Sequence, residues 1–98
     1  MSPESGEKLR LRVITSKQLL VDEPVEAAAL PGLEGEVGIL PGHRPLILGL
    51  GTGSLSYRHG TKENRLSISG GYATISAREV IVFTELSQDE KVDAAEKG

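Results

Sequence analysis

The sequence contains no cysteine and no tryptophan, and only 3% of its residues are aromatic. Without cysteine the chain forms neither a disulfide nor a thiolate metal site. Its few aromatic side chains offer no platform on which nucleic-acid bases could stack, and the net charge of −3 has the wrong sign for a nucleic-acid footprint. No apolar run approaches the ~20 residues of a membrane-spanning helix. These absences disfavour a nucleic-acid-binding protein and a helical membrane protein.

The length of 98 residues suffices for one domain with one modest core. Residues 1–8 are acidic and lack the apolar core of a signal peptide, so we expect a short disordered tail. Residues 9–86 carry the apolar pattern of the folded domain, and residues 87–98 are mostly polar and charged.

Apolar and polar residues alternate along most of the domain. Leu9, Leu11 and Val13 share one face of a strand, whereas Arg10 and Arg12 share the other. Breaks are expected at 22–24, at 51–53 and at 70–71, the last as a turn or a bulge. Short strands are predicted at 9–13, 19–21, 25–30, 36–39, 46–50, 54–58, 65–69, 72–77 and 80–83. About 8–10 short strands with this turn spacing indicate an all-β fold, an antiparallel β-sandwich.

Two Pro-Gly dipeptides bracket the short strand Glu36–Ile39. In both Pro31-Gly32 and Pro41-Gly42 the proline presets φ and the glycine accepts the positive φ of a type II turn. Rigid loops on a sheet scaffold are frequent sites of function, and this one contains no nucleophile beside a base. The stretch therefore predicts a surface for binding another molecule.

Other motifs favour structural interpretations. Glycines 49, 51 and 53 have the wrong spacing for a dinucleotide loop, and a strand follows where a helix is required. The chain has two histidines, His43 and His59, in separate loops without a third ligand at a metal-binding spacing. The acidic residues show no arrangement for acid–base catalysis. We expect no catalytic residue, no metal and no cofactor.

The run Glu34-Gly35-Glu36-Val37-Gly38-Ile39-Leu40-Pro41-Gly42-His43-Arg44-Pro45-Leu46 resembles the signature loop of the epsilon subunit of rotary F-type ATP synthases. Flanking runs at 11–15, 21–26, 53–55 and 69–73 resemble other strands of that family in the same order. The resemblance covers roughly Leu9 to Leu86.

The resemblance implies a non-catalytic rotor subunit on the cytoplasmic face of the bacterial inner membrane, or the equivalent organellar face. Its partners would be the gamma subunit and the membrane c-ring, and it would couple proton flow to ATP synthesis. Contact with the basic, polar c-ring turns is implied for Glu34, Glu36, Gly38, Pro41, Gly42, His43 and Arg44. Contact with the gamma subunit is implied for Thr15, His43 and Ser54. Small or apolar residues at 27–29 and 80–83 are candidates for a docking face.

Structural roles remain open for two of these residues. His43 could instead hydrogen-bond a backbone carbonyl of its own turn, and Glu36 could be a solvated carboxylate at the end of a strand.

The last residues predict the start of a helix. Ser87 and Glu90 have the spacing of a capping box. In the family this position opens a two-helix hairpin that inhibits ATP hydrolysis, so we expect that activity to be absent from this chain. The residue pattern alone also fits a free-standing β-sandwich interaction module, and less well a small jelly-roll enzyme.

Overall fold

The structure is a computed structural model that describes residues 8–87, and these residues form strands and turns without a helix. Of the predicted tail at 1–8, residues 1–7 lie outside the described residues, and so does the predicted start of a helix at 87–98 beyond Ser87 itself. The strands are β1 Leu9–Ile14, β2 Leu19–Val25, β3 Ala27–Gly32, β4 Gly35–Ile39, β5 Leu46–His59, β6 Lys62–Ile75 and β7 Glu79–Phe83. The all-β prediction is confirmed.

All seven strands belong to one sheet with the order β2-β1-β7-β6-β5-β3-β4. Neighbours are antiparallel, except that β1 and β7 are parallel. The sheet folds over on itself, so β2 at one end contacts β5. We call β2, β1, β7, the end of β6 and the start of β5 that pairs with it the first layer. The second layer consists of β4, β3 and the rest of the β5–β6 hairpin. This arrangement is a β-sandwich.

The strand count differs from the prediction because two pairs of predicted strands are continuous. Strands β5 and β6 hold one register from the Leu46–Ile75 pair to the His59–Lys62 pair. The glycines at 51, 53, 70 and 71 lie inside these long strands, where they were predicted to end them. Glycine lets a strand bend sharply without leaving the ladder, so one hairpin serves both layers.

Two prolines were also wrongly predicted to interrupt strands. Pro24 lies within β2, and it is tolerated because β2 is an edge strand. Pro31 lies within β3, where the register with β5 shifts between Ala29 and Gly32, so no regular ladder bond is lost. The turn that was predicted at Pro31-Gly32 instead falls on residues 33 and 34.

Inward-facing apolar side chains of all seven strands form one core. Burial alternates along β1, where Leu9, Leu11 and Val13 are fully buried as their spacing predicts. Strand β7 is an interior strand, as expected from its apolar sequence, and it buries Val80 and Val82. The core leaves the other face of each layer for contact with solvent or a partner.

Candidate partner-binding site

The loop between β4 and β5 is built around Pro41-Gly42. Gly42 has a φ of +90°, and the His43 amide donates to the Leu40 carbonyl over 3.2 Å. Both features fit the predicted type II turn, which requires positive φ at its second central residue. The Gly42 amide also donates to the carbonyl of Ala77 over 2.7 Å, which ties the loop to the β6–β7 turn. The loop is therefore held in place from two sides.

The structure supports the structural interpretation of His43. Its Nδ1 lies 2.7 Å from the backbone carbonyl oxygen of Arg44, so the Nδ1–H donates to that carbonyl. The ring is half-buried, whereas the neighbouring Arg44 is exposed. This hydrogen bond fixes the ring within its loop and leaves its exposed part available to a partner.

The predicted acidic contacts lie on the β3–β4 hairpin. Glu34 is in the turn, and Glu36 and Gly38 are exposed on the outward face of β4. Neither carboxylate takes part in an ion pair with residues 8–87, whereas Asp22 and Glu79 do. Arg58 and Arg65 line grooves beside Glu36, but they pair with Glu26 and Glu63. Glu36 is thus an exposed carboxylate without an ion-pair partner among residues 8–87.

Thr15, which was predicted to contact the gamma subunit, has a structural role in its own turn. Its hydroxyl oxygen accepts from the amides of Lys17 and Gln18, each over 3.1 Å. These bonds shape the β1–β2 turn in the manner of a Ser/Thr turn. Thr15 also lines a groove of about 380 Å³ beside Tyr72 and Phe83.

Ser54 lies in a different place from Thr15. It lines a groove of about 480 Å³ in the second layer, together with Glu36, Glu63 and Arg65. No residue lines both grooves. The structure therefore places Ser54 in the same groove as Glu36, one of the residues assigned to the c-ring, and in a different groove from Thr15.

The outer face of the first layer exposes apolar side chains that the sequence analysis mostly missed. Cross-strand pairing places them side by side: Ile14 is opposite both Leu19 and Phe83, and Phe83 is opposite Tyr72. We call these four residues the apolar row. The rings of Tyr72 and Phe83 stack with centroids 5.0 Å apart. Ile47, which is 74% exposed, lies in β5, on the same β5–β6 hairpin as Tyr72.

Part of this face was predictable. Within 80–83 the outward residues are Ile81 and Phe83. The other candidate, 27–29, lies in the second layer, where Ala27 and Ala29 point outward. Leu19 and Tyr72 could not be assigned because they join the row only through pairing with distant strands.

Charged side chains flank the apolar row. The guanidinium groups of Arg10 and Arg12 lie 2.7 and 3.4 Å from the same Asp22 oxygen. Arg12 also reaches Glu79 over 2.7 Å. The hydrogen bond from Arg10 lowers the pKa of Asp22, and the positive charges of both arginines contribute. This network keeps the charges near the row paired with one another.

A second polar cluster joins β2 to β5 where the sheet folds over. Glu23 lies near the hydroxyl of Tyr57 and 3.5 Å from Nδ1 of His59. Burial raises the pKa of Tyr57, and Glu23 raises it further. Within residues 8–87 no three His, Asp or Glu side chains are grouped as they would be to hold a metal ion. The same residues include no helix that could span a membrane.

The family model for the ATP synthase delta/epsilon chain, β-sandwich domain, matches residues 8–87. The chain belongs to this family. It is 35% identical over 89 residues to the ATP synthase epsilon chain of Carboxydothermus hydrogenoformans, covering 90% of this chain and 66% of that one. It is 37% identical over 92 residues to the epsilon chain of Nitratidesulfovibrio vulgaris strain DP4, covering 91% of this chain and 69% of that one. The family resemblance of the sequence is thus confirmed.

Solved structures share the delta/epsilon fold. A chain of the Euglena gracilis mitochondrial ATP synthase OSCP/F1/c-ring assembly superposes with a TM-score of 0.74 at 28% identity, covering 92% of this chain and 62% of that one. A chain of the Tetrahymena thermophila mitochondrial ATP synthase central stalk and c-ring, 12% identical, shares the fold with a TM-score of 0.67. The chain spans about two thirds of its relatives or slightly less, and the matched part is the β-sandwich.

Proposed function

We propose that the chain is a non-catalytic central-stalk subunit of a proton-translocating F-type ATP synthase. In this role it links the gamma subunit to the membrane c-ring and supports coupling of proton flow to ATP synthesis. The observation that carries the proposal is membership of the delta/epsilon family over residues 8–87. Relatives named ATP synthase epsilon chain and a structural neighbour from an F1/c-ring assembly support it.

The gamma subunit would dock on the outer face of the first layer. There Leu19, Tyr72 and Ile47 are exposed and the remaining two residues of the apolar row are half-buried. An apolar surface patch of this kind is typical of protein interfaces. Thr15 lines the groove beside the row, and its predicted contact with gamma fits this placement. Ser54, on the second layer, would lie outside the gamma interface.

The c-ring would meet the acidic β3–β4 hairpin and the loop that follows it. Glu34 and Glu36 would face the basic c-ring turns, and the anchored Pro41-Gly42 turn would supply a rigid contact. His43 and Arg44 complete this surface. The subunit would thereby be a peripheral membrane protein on the cytoplasmic face of a bacterial inner membrane, or the equivalent organellar face, held there only through the complex.

Co-elution with a purified gamma subunit from the same organism on a sizing column tests the proposal. A one-to-one complex is expected. Ile47→Asp should abolish co-elution because it places a charge on the apolar face, whereas Thr61→Asp in the exposed β5–β6 turn should not. Separate elution of two folded proteins would contradict the rotor role and favour a free-standing interaction module.

A further inference from the structure

Strand β4 forms an open edge of the sheet. Within residues 8–87 its only ladder partner is β3. Outside that ladder, residues 35–39 make no backbone hydrogen bond to the described chain. A Cβ built on Gly38 meets no atom within 4 Å, so the outward face of the strand beside this edge is also uncovered. An open edge offers unpaired amide and carbonyl groups to an extended chain.

The pairing shows which groups point outward. The Leu33 amide donates to the Gly49 carbonyl in β5, so the amides of Leu33 and of every second residue before it face β5. Leu30 belongs to the alternate set of residues, so its backbone amide and carbonyl point toward β4, where it pairs with Val37. By the same alternation the amides and carbonyls of Glu36 and Gly38 point away from β3.

The opposite edge of the sheet is protected. Strand β2 contains Pro24, which cannot donate to an added strand. It also contacts β5, and Glu23 at this junction lies close to His59. The open edge is thus specific to β4 and is not a general property of the sandwich.

Charge decides what the β4 edge accepts. Glu34 and Glu36 are exposed on it, and neither is in an ion pair with residues 8–87. Antiparallel pairing of two copies of β4 would place Glu36 opposite Gly38 and make the two Glu36 carboxylates diagonal neighbours on one face, where like charges repel. A strand that carries basic side chains would instead be attracted.

We propose that β4 binds an extended, basic segment of a partner protein by strand addition. The main chain of that segment pairs with Glu36 and Gly38. On the outward face its Lys or Arg stems lie across Gly38 and Ala29 and reach Glu36, because these small residues leave room. On the inward face its alternate residues meet Val37 and Ile39, which favours β-branched side chains. The proposal shares Glu36 and Gly38 with the proposed c-ring contact. Its test uses a free peptide without a c-ring, so failure of the peptide to bind would leave the rotor role untouched.

The test is a titration of the isotope-labelled chain with a short synthetic peptide in which lysine alternates with valine, followed by amide NMR. We expect shifts and slowed hydrogen exchange at the amides of Glu36 and Gly38. The same peptide with N-methyl groups on alternate residues keeps the charge and loses the donors, so it should bind much more weakly. A glutamate-for-lysine peptide should not bind.

Variants of the chain give a second arm. Gly38→Pro removes an outward donor and should abolish the peptide effect, whereas Gly38→Ala should retain it because the added methyl meets no neighbour. Glu36→Gln should raise the Kd about two- to five-fold, the range of one exposed ion pair. Equal binding of the N-methylated peptide, shifts confined to the apolar row, or no binding at millimolar peptide would each overturn the proposal.

Discussion

Gly71 lies directly against the backbone carbonyl of Phe83, so a side chain at position 71 would overlap the carbonyl oxygen. Gly71 also has a φ of +107°, which L-residues rarely adopt. The contact occurs where the end of β6 passes β7, next to the Tyr72–Phe83 pair of the apolar row. The outer face of the first layer therefore depends on one glycine.

Gly71→Ala should destabilise the domain by about 2–4 kcal/mol, because the methyl clashes with rigid backbone and φ is unfavourable. The melting temperature should fall by roughly 10 °C or more for a domain of this size. Gly70→Ala is the matched control, since φ is +74° there but the nearest atom to the added Cβ is 3.9 Å away. That variant should lose only about 1 kcal/mol. Equal losses in thermal melts of the two variants would show that the close approach to Phe83 is unimportant.

Gly42→Ala should lower stability by about 1 kcal/mol, because the type II turn holds this residue at a φ of +90°. Gly38→Ala is the control: neither glycine has an atom within 4 Å of the added Cβ, but only Gly42 has positive φ. Urea unfolding of both variants measures the difference. If Gly42→Ala were neutral, the turn would not be rigid.

Asp22 should contribute stability that depends on pH. Its pKa is lowered in the folded state by Arg10 and Arg12, so its contribution is present above the ordinary pKa of 3.8. It is lost as the pH falls through the lower folded-state pKa. Asp22→Asn should therefore melt at a slightly lower temperature than the parent chain at pH 7, and the difference should vanish at strongly acidic pH. Glu34→Gln, at a carboxylate outside any described ion pair, is the control and should melt at the same temperature as the parent chain at pH 7.

Glu36→Lys should weaken docking to the c-ring, because it reverses a charge on the acidic hairpin. The melting temperature of the isolated domain should stay within a few degrees, since exposed substitutions usually change stability by about ±0.5 kcal/mol. Reconstitution of the rotor and sedimentation with c-ring membranes would measure the loss. Unimpaired assembly would place the c-ring contact elsewhere.

The sequence alone determined the fold class and the local turn at Pro41-Gly42. Alternation in β1 predicted which of its side chains are buried, because side-chain direction in a strand depends only on residue parity. A Pro-Gly dipeptide in a loop likewise carries its own backbone geometry. The loop resemblance then led to the correct family, which the match over residues 8–87 established.

Only the tertiary structure decided where strands continue and which surfaces exist. Pro24 and the glycines of β5 and β6 look like breaks along the chain, yet pairing with neighbouring strands carries the ladder through them. The apolar row combines residues far apart in sequence, and it exists because β1 and β7 run parallel. The open edge of β4 follows from the order of strands in the sheet, which places β4 at one end. A local sequence pattern does not predict which strand is at the edge of a sheet.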